Sequence, residues 1–248
     1  MRYSLCIEML FSEMEFTDRI KAAGAAGFSA VEFWSWWEHD LDEIRKVCRE
    51  SGVGVSGICN RFISMTDPKC ADDYVTALQE SIRAAEILDC PYIVSQIGKA
   101  MGEDREEQRA QIISTLKKCV PYLEKSGKIL LLEPVNRNEI PDYFEPYSDP
   151  AGEMIRKAES EHVGMLFDIY HQQLTEGNII GHLYQNRDVI KHIHAAGVPE
   201  RGELECSEVC YVRIIEELHK MGYEGNIGLE YIPQKPVLEG LRNLPKLG

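Results

Sequence analysis

The chain has no long hydrophobic run, no CxxC pair and no excess of basic residues, and each absence removes a class of function. A membrane-crossing helix needs about 20 successive apolar residues, and no stretch approaches that length. The opening MRYSLCIEML also lacks the apolar segment and small-residue cleavage site of a secretory signal, so a cytoplasmic protein is expected. Lys and Arg number 27 against 41 Asp and Glu, a formal charge of −14. A surface of that sign repels nucleic acid and anionic membranes, and no segment is basic enough for a dedicated phosphate patch. Neither nucleic acid nor membrane is an expected partner. Linkers, low-complexity tracts and solenoid repeats are also missing, so residues 1–248 read as one domain. The eight cysteines (Cys6, Cys48, Cys59, Cys70, Cys90, Cys119, Cys206 and Cys210) are scattered. Cys206 and Cys210 are four apart, with no second pair to complete a zinc site. Buried free thiols in a reducing compartment are the expectation.

What the chain does have is regular alternation. Short apolar runs at Tyr3–Met9, Phe28–Phe33, Val53–Cys59, Tyr92–Gln96, Lys128–Glu133, Val163–Asp168, Val189–His194 and Asn226–Glu230 predict strands. Between them, helical spacing predicts helices over Glu15–Ala26, Asp40–Glu50, Ala71–Leu88, Arg105–Lys125, Asp149–Ser160 and Ser207–Met221. A helical or partly helical return over Ile169–Asn186 and a short last helix at Pro236–Arg242 complete the series. The longer connections are Arg61–Lys69, Lys99–Asp104, Pro134–Ser148 and Ala195–Cys206. Eight such units argue an α/β fold with a covered parallel sheet, closed as a (β/α)8 TIM barrel. An open doubly wound sheet would need a glycine-rich turn after the first strand, and LCIEMLFSE contains no glycine.

Four successive runs end on a potential metal ligand: KILLLE on Glu133, VGMLFD on Asp168, IKHIH on His194 and NIGLE on Glu230. One rim of a barrel collects such strand ends. Three carboxylates and an imidazole suit one divalent cation, Mn²⁺ first and Mg²⁺ or Co²⁺ next. Such an ion can polarise a carbonyl, and Glu133 and Glu230, on the fifth and eighth strands, are placed to move protons at the adjacent carbon. His171 in DIYH and Arg201 in the seventh loop are candidates to stabilise negative charge on substrate oxygens. Glu32, near the end of the second strand, is expected on substrate hydroxyls or behind a metal-bound group. Trp34, Trp36 and Trp37 are too many for one core, and at least one is expected to wall the pocket. Lys99 is a candidate for a substrate carboxylate or hydroxyl.

These features come with EMLF (8–11), GFSAVEF (27–33), LLLEPVN (130–136), FDIYHQQ (167–173), HIHAAGVPERGE (192–203) and GYEGNIGLEYIPQ (222–234). In that order they resemble the sugar isomerase/epimerase group of TIM barrels, the xylose-isomerase-like superfamily, and within it the hydroxypyruvate isomerase branch. The resemblance implies a divalent metal on Glu133, Asp168, His194 and Glu230. It also implies substrate contacts from His171 and Arg201, and a homo-oligomer. The chain departs from that branch at His194, where glutamine is frequent. It departs again at Cys6 and Cys59, where asparagine and histidine are common, and at ECSE (205–208) in place of GTGE. The expected activity is a metal-dependent isomerase of a small hydroxy-carbonyl or sugar substrate, by proton transfer through an enediolate. A ketose 3-epimerase, a lyase using the same intermediate and a sugar-binding barrel with a vestigial site are the alternatives. Cleavage of abasic DNA, known on the same barrel, fits the charge of −14 poorly.

Overall fold

Eight short apolar runs become eight parallel strands: β1 Arg2–Cys6, β2 Ala30–Phe33, β3 Gly54–Cys59, β4 Tyr92–Gln96, β5 Ile129–Glu133, β6 Val163–Asp168, β7 Ile190–Ala195 and β8 Asn226–Leu229. They pair in sequence order, and β1 pairs with β8 to close the barrel. The structure, a computed structural model, describes residues 1–102 and 104–247. Glu103, in the expected loop Lys99–Asp104, and Gly248, at the end of the tail, lie outside the described residues.

The outer layer consists of α1 Phe16–Ala25, α2 Leu41–Ser51, α3 Ala71–Ile87, α4 Arg105–Ser126, α5 Ser148–Arg156, α6 Ile169–Thr175, α7 Ile179–Gln185, α8 Tyr211–Lys220 and α9 Val237–Arg242. Local chemistry sets their ends. The Asp40 carboxylate accepts the amides of Asp42 and Glu43 at the start of α2, and Gly52, at φ +68°, ends it. The expected return over Ile169–Asn186 is two helices, because Gly177 and Asn178 both take positive φ. Helix α8 starts later than expected, since the Ser207 hydroxyl caps a turn by accepting the Val209 amide. Strand β1 stops at Cys6, whose carbonyl takes the Met9 and Leu10 amides and bends the chain away.

Alternation along the strands sorts side chains into two environments. One alternating set, which includes Leu5, Val31, Leu130, Leu132, Phe167, Ile193 and Leu229, joins the large core under the helices. The other set enters the barrel, where Val94, Leu131 and Leu166 form a small separate apolar cluster. All eight cysteines are free. Cys6, Cys48, Cys90 and Cys119 are buried as expected and Cys59 and Cys70 partly so, whereas Cys206, at the end of the short 3-10 turn Leu204–Cys206, and Cys210, just before α8, are exposed. Among the described residues no helix is long and apolar enough to cross a membrane.

One buried hydroxyl holds the mouth together between β4 and β5. The Tyr143 hydroxyl accepts the Ile97 amide at 2.7 Å and donates to the Glu133 carbonyl at 2.6 Å. Removing it strands a buried donor and a buried acceptor, each costing about 1–3 kcal/mol when unpaired. Tyr143→Phe should therefore lower the unfolding free energy by about 2–6 kcal/mol in a denaturant titration; a change within error would mean that water replaces the hydroxyl.

Candidate active site

Glu32, Glu133, His194 and Glu230, joined by His171 and Arg201, line a cavity of about 300 Å³ at the C-terminal mouth of the barrel. Glu133 and Asp168 are the last residues of β5 and β6, His194 is the penultimate residue of β7, and Glu230 follows β8 directly. Closure of the barrel makes these strands neighbours. Glu133, Asp168, Glu230 and His171 each present a ligand atom within 4.8 Å of the others. His194 stands beside this group, its Nδ1 3.6 Å from Glu230 Oε2. It also belongs to a second buried group with Glu32 and His192.

Two imidazoles thus border the carboxylates, and the hydrogen-bond network distinguishes them. Asn136 Oδ1 accepts the Asn138 and Glu139 amides, so its amide nitrogen faces His171 Nδ1, 2.8 Å away. His171 Nδ1 is then the acceptor, and Nε2 carries the proton toward Glu133 (3.7 Å) and Asp168 (3.6 Å). His194 is turned the other way. Its Nε2 lies 2.9 Å from Glu32 Oε2, which leaves Nδ1 toward the cavity. Asp168 divides its oxygens similarly: Oδ1 caps α6 through the Tyr170 and His171 amides at 2.7 and 3.3 Å. Among the described residues, Asp168 Oδ2 and His194 Nδ1 are buried atoms without a hydrogen-bond partner. Native structures seldom tolerate such orphans. With the carboxylates of Glu133 and Glu230, they are the donor set a divalent cation takes, so these residues fit such an ion.

Other groups converge on Glu230. Trp34 Nε1 donates to Oε1 at 2.9 Å, and Arg201 Nη2 donates to Oε2 at 2.6 Å. Arg201 also reaches Glu139 at 3.5 Å and lies over the Tyr170 ring, whose hydroxyl donates to Glu139. Trp34, Phe62 and Ile140 help to wall the cavity. Trp36 and Trp37 stay outside it, both under the Arg61 guanidinium, and Trp37 packs edge-on against Phe62. Lys99 is not brought to the site. It is exposed, and the extended pairing of its backbone with Tyr143 holds it on the outer side of its loop. Glu32 sits at the cavity floor with its carboxylate directed to buried partners.

Sequence reasoning missed Asn136, Glu139, Phe62 and His192. Asn136 and Glu139 follow Glu133 at intervals of three, the spacing of a turn that returns to the strand end. His192 is two residues before His194, hence on the same face of β7.

The cluster is electrostatically divided. Burial, then the Glu230 and Asp168 carboxylates, push the Glu133 carboxyl up to about 8. Burial acts the same way on Glu230, but His194 and Arg201 outweigh it and hold that carboxyl down to about 2. Burial opposes a charge on His194, yet Glu32 and Glu230 together raise it well above its usual value. Burial keeps His171 low, hence neutral.

Residues 20–247 match the family described as the xylose isomerase-like TIM barrel, and the chain belongs to that family. Over its full length it is 30% identical to the 2-oxo-tetronate isomerase of Cupriavidus necator, 99% of which it covers. It is 28% identical to the hydroxypyruvate isomerase of Escherichia coli, over 98% of this chain and 97% of that one. Among solved structures, AP endonuclease family 2 from Brucella melitensis superposes with a TM-score of 0.93, at 23% identity over 97% of each chain. The D-psicose 3-epimerase of Clostridium cellulolyticum superposes at 0.80, with 17% identity over 93% of this chain and 85% of that one. At those identities both structures speak for the fold alone.

Glu133 and His194 keep protons in the folded chain that the unfolded chain has released. The stability they add is complete below their ordinary values and is lost as pH rises through the folded ones. His171, held low, acts oppositely only up to its ordinary 6.5. Chelator-treated protein should therefore lose thermal stability steadily from about pH 6.5 to 8.5, and saturating Mn²⁺ should flatten the slope. A melting temperature independent of pH over that range in chelator would refute this charge division.

Proposed function

We propose that the chain is a metal-dependent isomerase of a small hydroxy-carbonyl or sugar substrate, of the aldose–ketose type. The carrying observation is the convergence of Glu133, Asp168 and Glu230 within 4.8 Å of one another, beside two buried atoms without a hydrogen-bond partner among the described residues, Asp168 Oδ2 and His194 Nδ1. The names of its relatives, 2-oxo-tetronate isomerase and hydroxypyruvate isomerase, support the reaction class. A divalent ion on Glu133, Asp168, His194 and Glu230, with Mn²⁺ preferred over Mg²⁺ or Co²⁺, would supply Lewis-acid polarisation of the substrate carbonyl. His194 is the nitrogen ligand in this reading, because His171 directs a proton, not a lone pair, toward the carboxylates.

The chain's own groups perform the proton transfers. Glu230 stays ionised and is available to accept a proton, whereas Glu133 holds a proton more readily and is available to donate one, since their surroundings drive the two carboxyls apart. Glu230 removes the proton from the carbon beside the carbonyl, and Glu133 returns one to the neighbouring position. The Nε2–H of His171 and the Arg201 guanidinium donate to the substrate oxygen on which negative charge develops. Trp34 and Phe62 cover the substrate's C–H faces and keep water from the enediolate. Glu139 and Tyr170 hold Arg201 at the edge of the cavity. The protein is proposed to be cytoplasmic and homo-oligomeric, with the exposed Phe62 rim available for a subunit contact.

A ketose 3-epimerase is the second reading. It is favoured by the placement of Glu133 and Glu230 on strands three apart, so that a carbon between them is open on both faces. Incubation in deuterated water separates the two: isomerisation carries the label to the adjacent carbon, epimerisation returns it to the same one. Glu133→Gln and Glu230→Gln should each lower label exchange by about 10²–10⁴-fold. Exchange that survives both substitutions would remove these glutamates from the chemistry. No exchange by the wild type with any ketose, aldose or 2-oxo acid would leave the binding-barrel reading.

A further inference from the structure

Below the mouth, the barrel interior is apolar on one side and polar on the other. Val94, Leu131 and Leu166 fill the β4–β6 half. The other half holds Ser4, Glu32 and His192, each less than 5% exposed. Glu32 is the hub of this half. Both its oxygens face His192 Nε2, at 3.0 and 3.1 Å; Oε2 faces His194 Nε2 at 2.9 Å; and Oε1 accepts the Ser4 hydroxyl. His192 stacks on Tyr92, centroid to centroid at 5.5 Å, and is not among the residues that line the cavity.

The backbone is shaped around this group. The β2–β3 register shifts at Val31/Glu32, and the β6–β7 register shifts where Leu166 meets His192. Such bulges re-aim side chains next to functional sites. Two glycines leave the required room. A Cβ on Gly228 would lie 2.5 Å from His194 Cδ2 and 2.7 Å from Glu32 Oε1; one on Gly57 would lie 3.2 Å from Glu32 Oε2. Neither glycine has a positive φ, so the space for the carboxylate, not backbone freedom, is what they provide.

We infer that Glu32 and His192, seated on Gly57 and Gly228, are positioning residues that fix His194 with Nε2 protonated and Nδ1 free, and so set the affinity of the metal site. The inference rests on the reading of His194 as a metal ligand. His192 and Ser4 hold the carboxylate, the carboxylate orients the imidazole, and the imidazole offers the ion its lone pair.

The test is Mn²⁺ affinity by calorimetric titration, with the fold of each variant checked by circular dichroism. Glu32→Gln and His192→Phe should weaken Mn²⁺ binding about 10–100-fold, and His192→Gln, which retains a donor, should remain within about threefold of wild type. A second readout needs no variant: in Zn²⁺-loaded wild type, ¹⁵N correlation spectra should show His194 metallated at Nδ1 and protonated at Nε2. Wild-type affinity in both Glu32→Gln and His192→Phe, or coordination through His194 Nε2, overturns the inference while leaving the metal site in place. A wild type that binds no Mn²⁺ overturns the inference and the metal reading together.

Discussion

Like charge in a confined space is the constraint to which the barrel mouth is built. Glu133, Asp168 and Glu230 bring carboxylate oxygens within 4.8 Å of one another. At about 4 Å and an effective dielectric near 20, each such pair repels by roughly 4 kcal/mol. The surroundings compensate one oxygen at a time. Helix α6 takes one oxygen of Asp168 at its N-terminus, where backbone amides and the helix dipole favour negative charge. Trp34 and Arg201 take the two oxygens of Glu230. Among the described residues no side chain donates a comparable hydrogen bond to Glu133, and burial beside the Glu230 and Asp168 carboxylates lets its carboxyl keep a proton more readily than that of Glu230. The site is left deliberately short of positive charge, which is the condition under which a divalent cation binds a preformed cage strongly.

The fold was legible because it is written in local periodicities. Eight apolar runs separated by helical stretches leave few topologies, and a missing glycine turn after β1 removes the main competitor. Glu133, Asp168, His194 and Glu230 were legible for the same reason: a polar residue at the end of an apolar run is conspicuous, and closure brings successive strand ends to one rim. Lys99 looked similar in sequence and is not at the cavity. It follows Gly98, at φ +112°, is exposed, and its backbone pairs with Tyr143. Position after a strand indicates the correct end of a barrel; the loop conformation decides whether a side chain faces the axis, and that depends on distant partners such as Tyr143.

Residues below the rim were harder to read because their meaning depends on pairs far apart in the chain. Glu32 and His192 are 160 residues apart and meet only because β2 and β7 face each other across the barrel interior. The sequence places Glu32 near a strand end, on substrate hydroxyls or behind a metal-bound group, but gives no sign of its partner, and His192 looks like an ordinary polar residue in a strand. The glycines that make room for them look like ordinary strand glycines. The register shifts at Val31/Glu32 and beside His192 have no clear local signature, since a bulge reflects what the neighbouring strand needs. Asn136 is intermediate: a residue three beyond a ligand is a reasonable suspect, but its function of setting the His171 tautomer appears only once both side chains are placed.

Arg201 shows how the mouth trades local strain for aim. Its φ of +54° puts a non-glycine residue in the left-handed region, a conformation costing an L-residue about 1–2 kcal/mol. The loop is clamped on both sides of it: Gly197 donates to the Gly202 carbonyl at 2.7 Å, and the Ile232 amide donates to the Arg201 carbonyl at 2.7 Å. Those bonds tie the β7 loop to the segment after β8 and leave the arginine little freedom to relax. Its guanidinium is thereby held over Tyr170, between Glu139 and Glu230, with the cavity beside it. A relaxed backbone would direct the same side chain elsewhere, and the flexible lysine or arginine of a surface loop would reach Glu230 only at an entropic cost. The strain is therefore best understood as part of the site's electrostatics: it maintains one permanent cation at the edge of an anionic cluster, where it lowers Glu230 and leaves Glu133 raised.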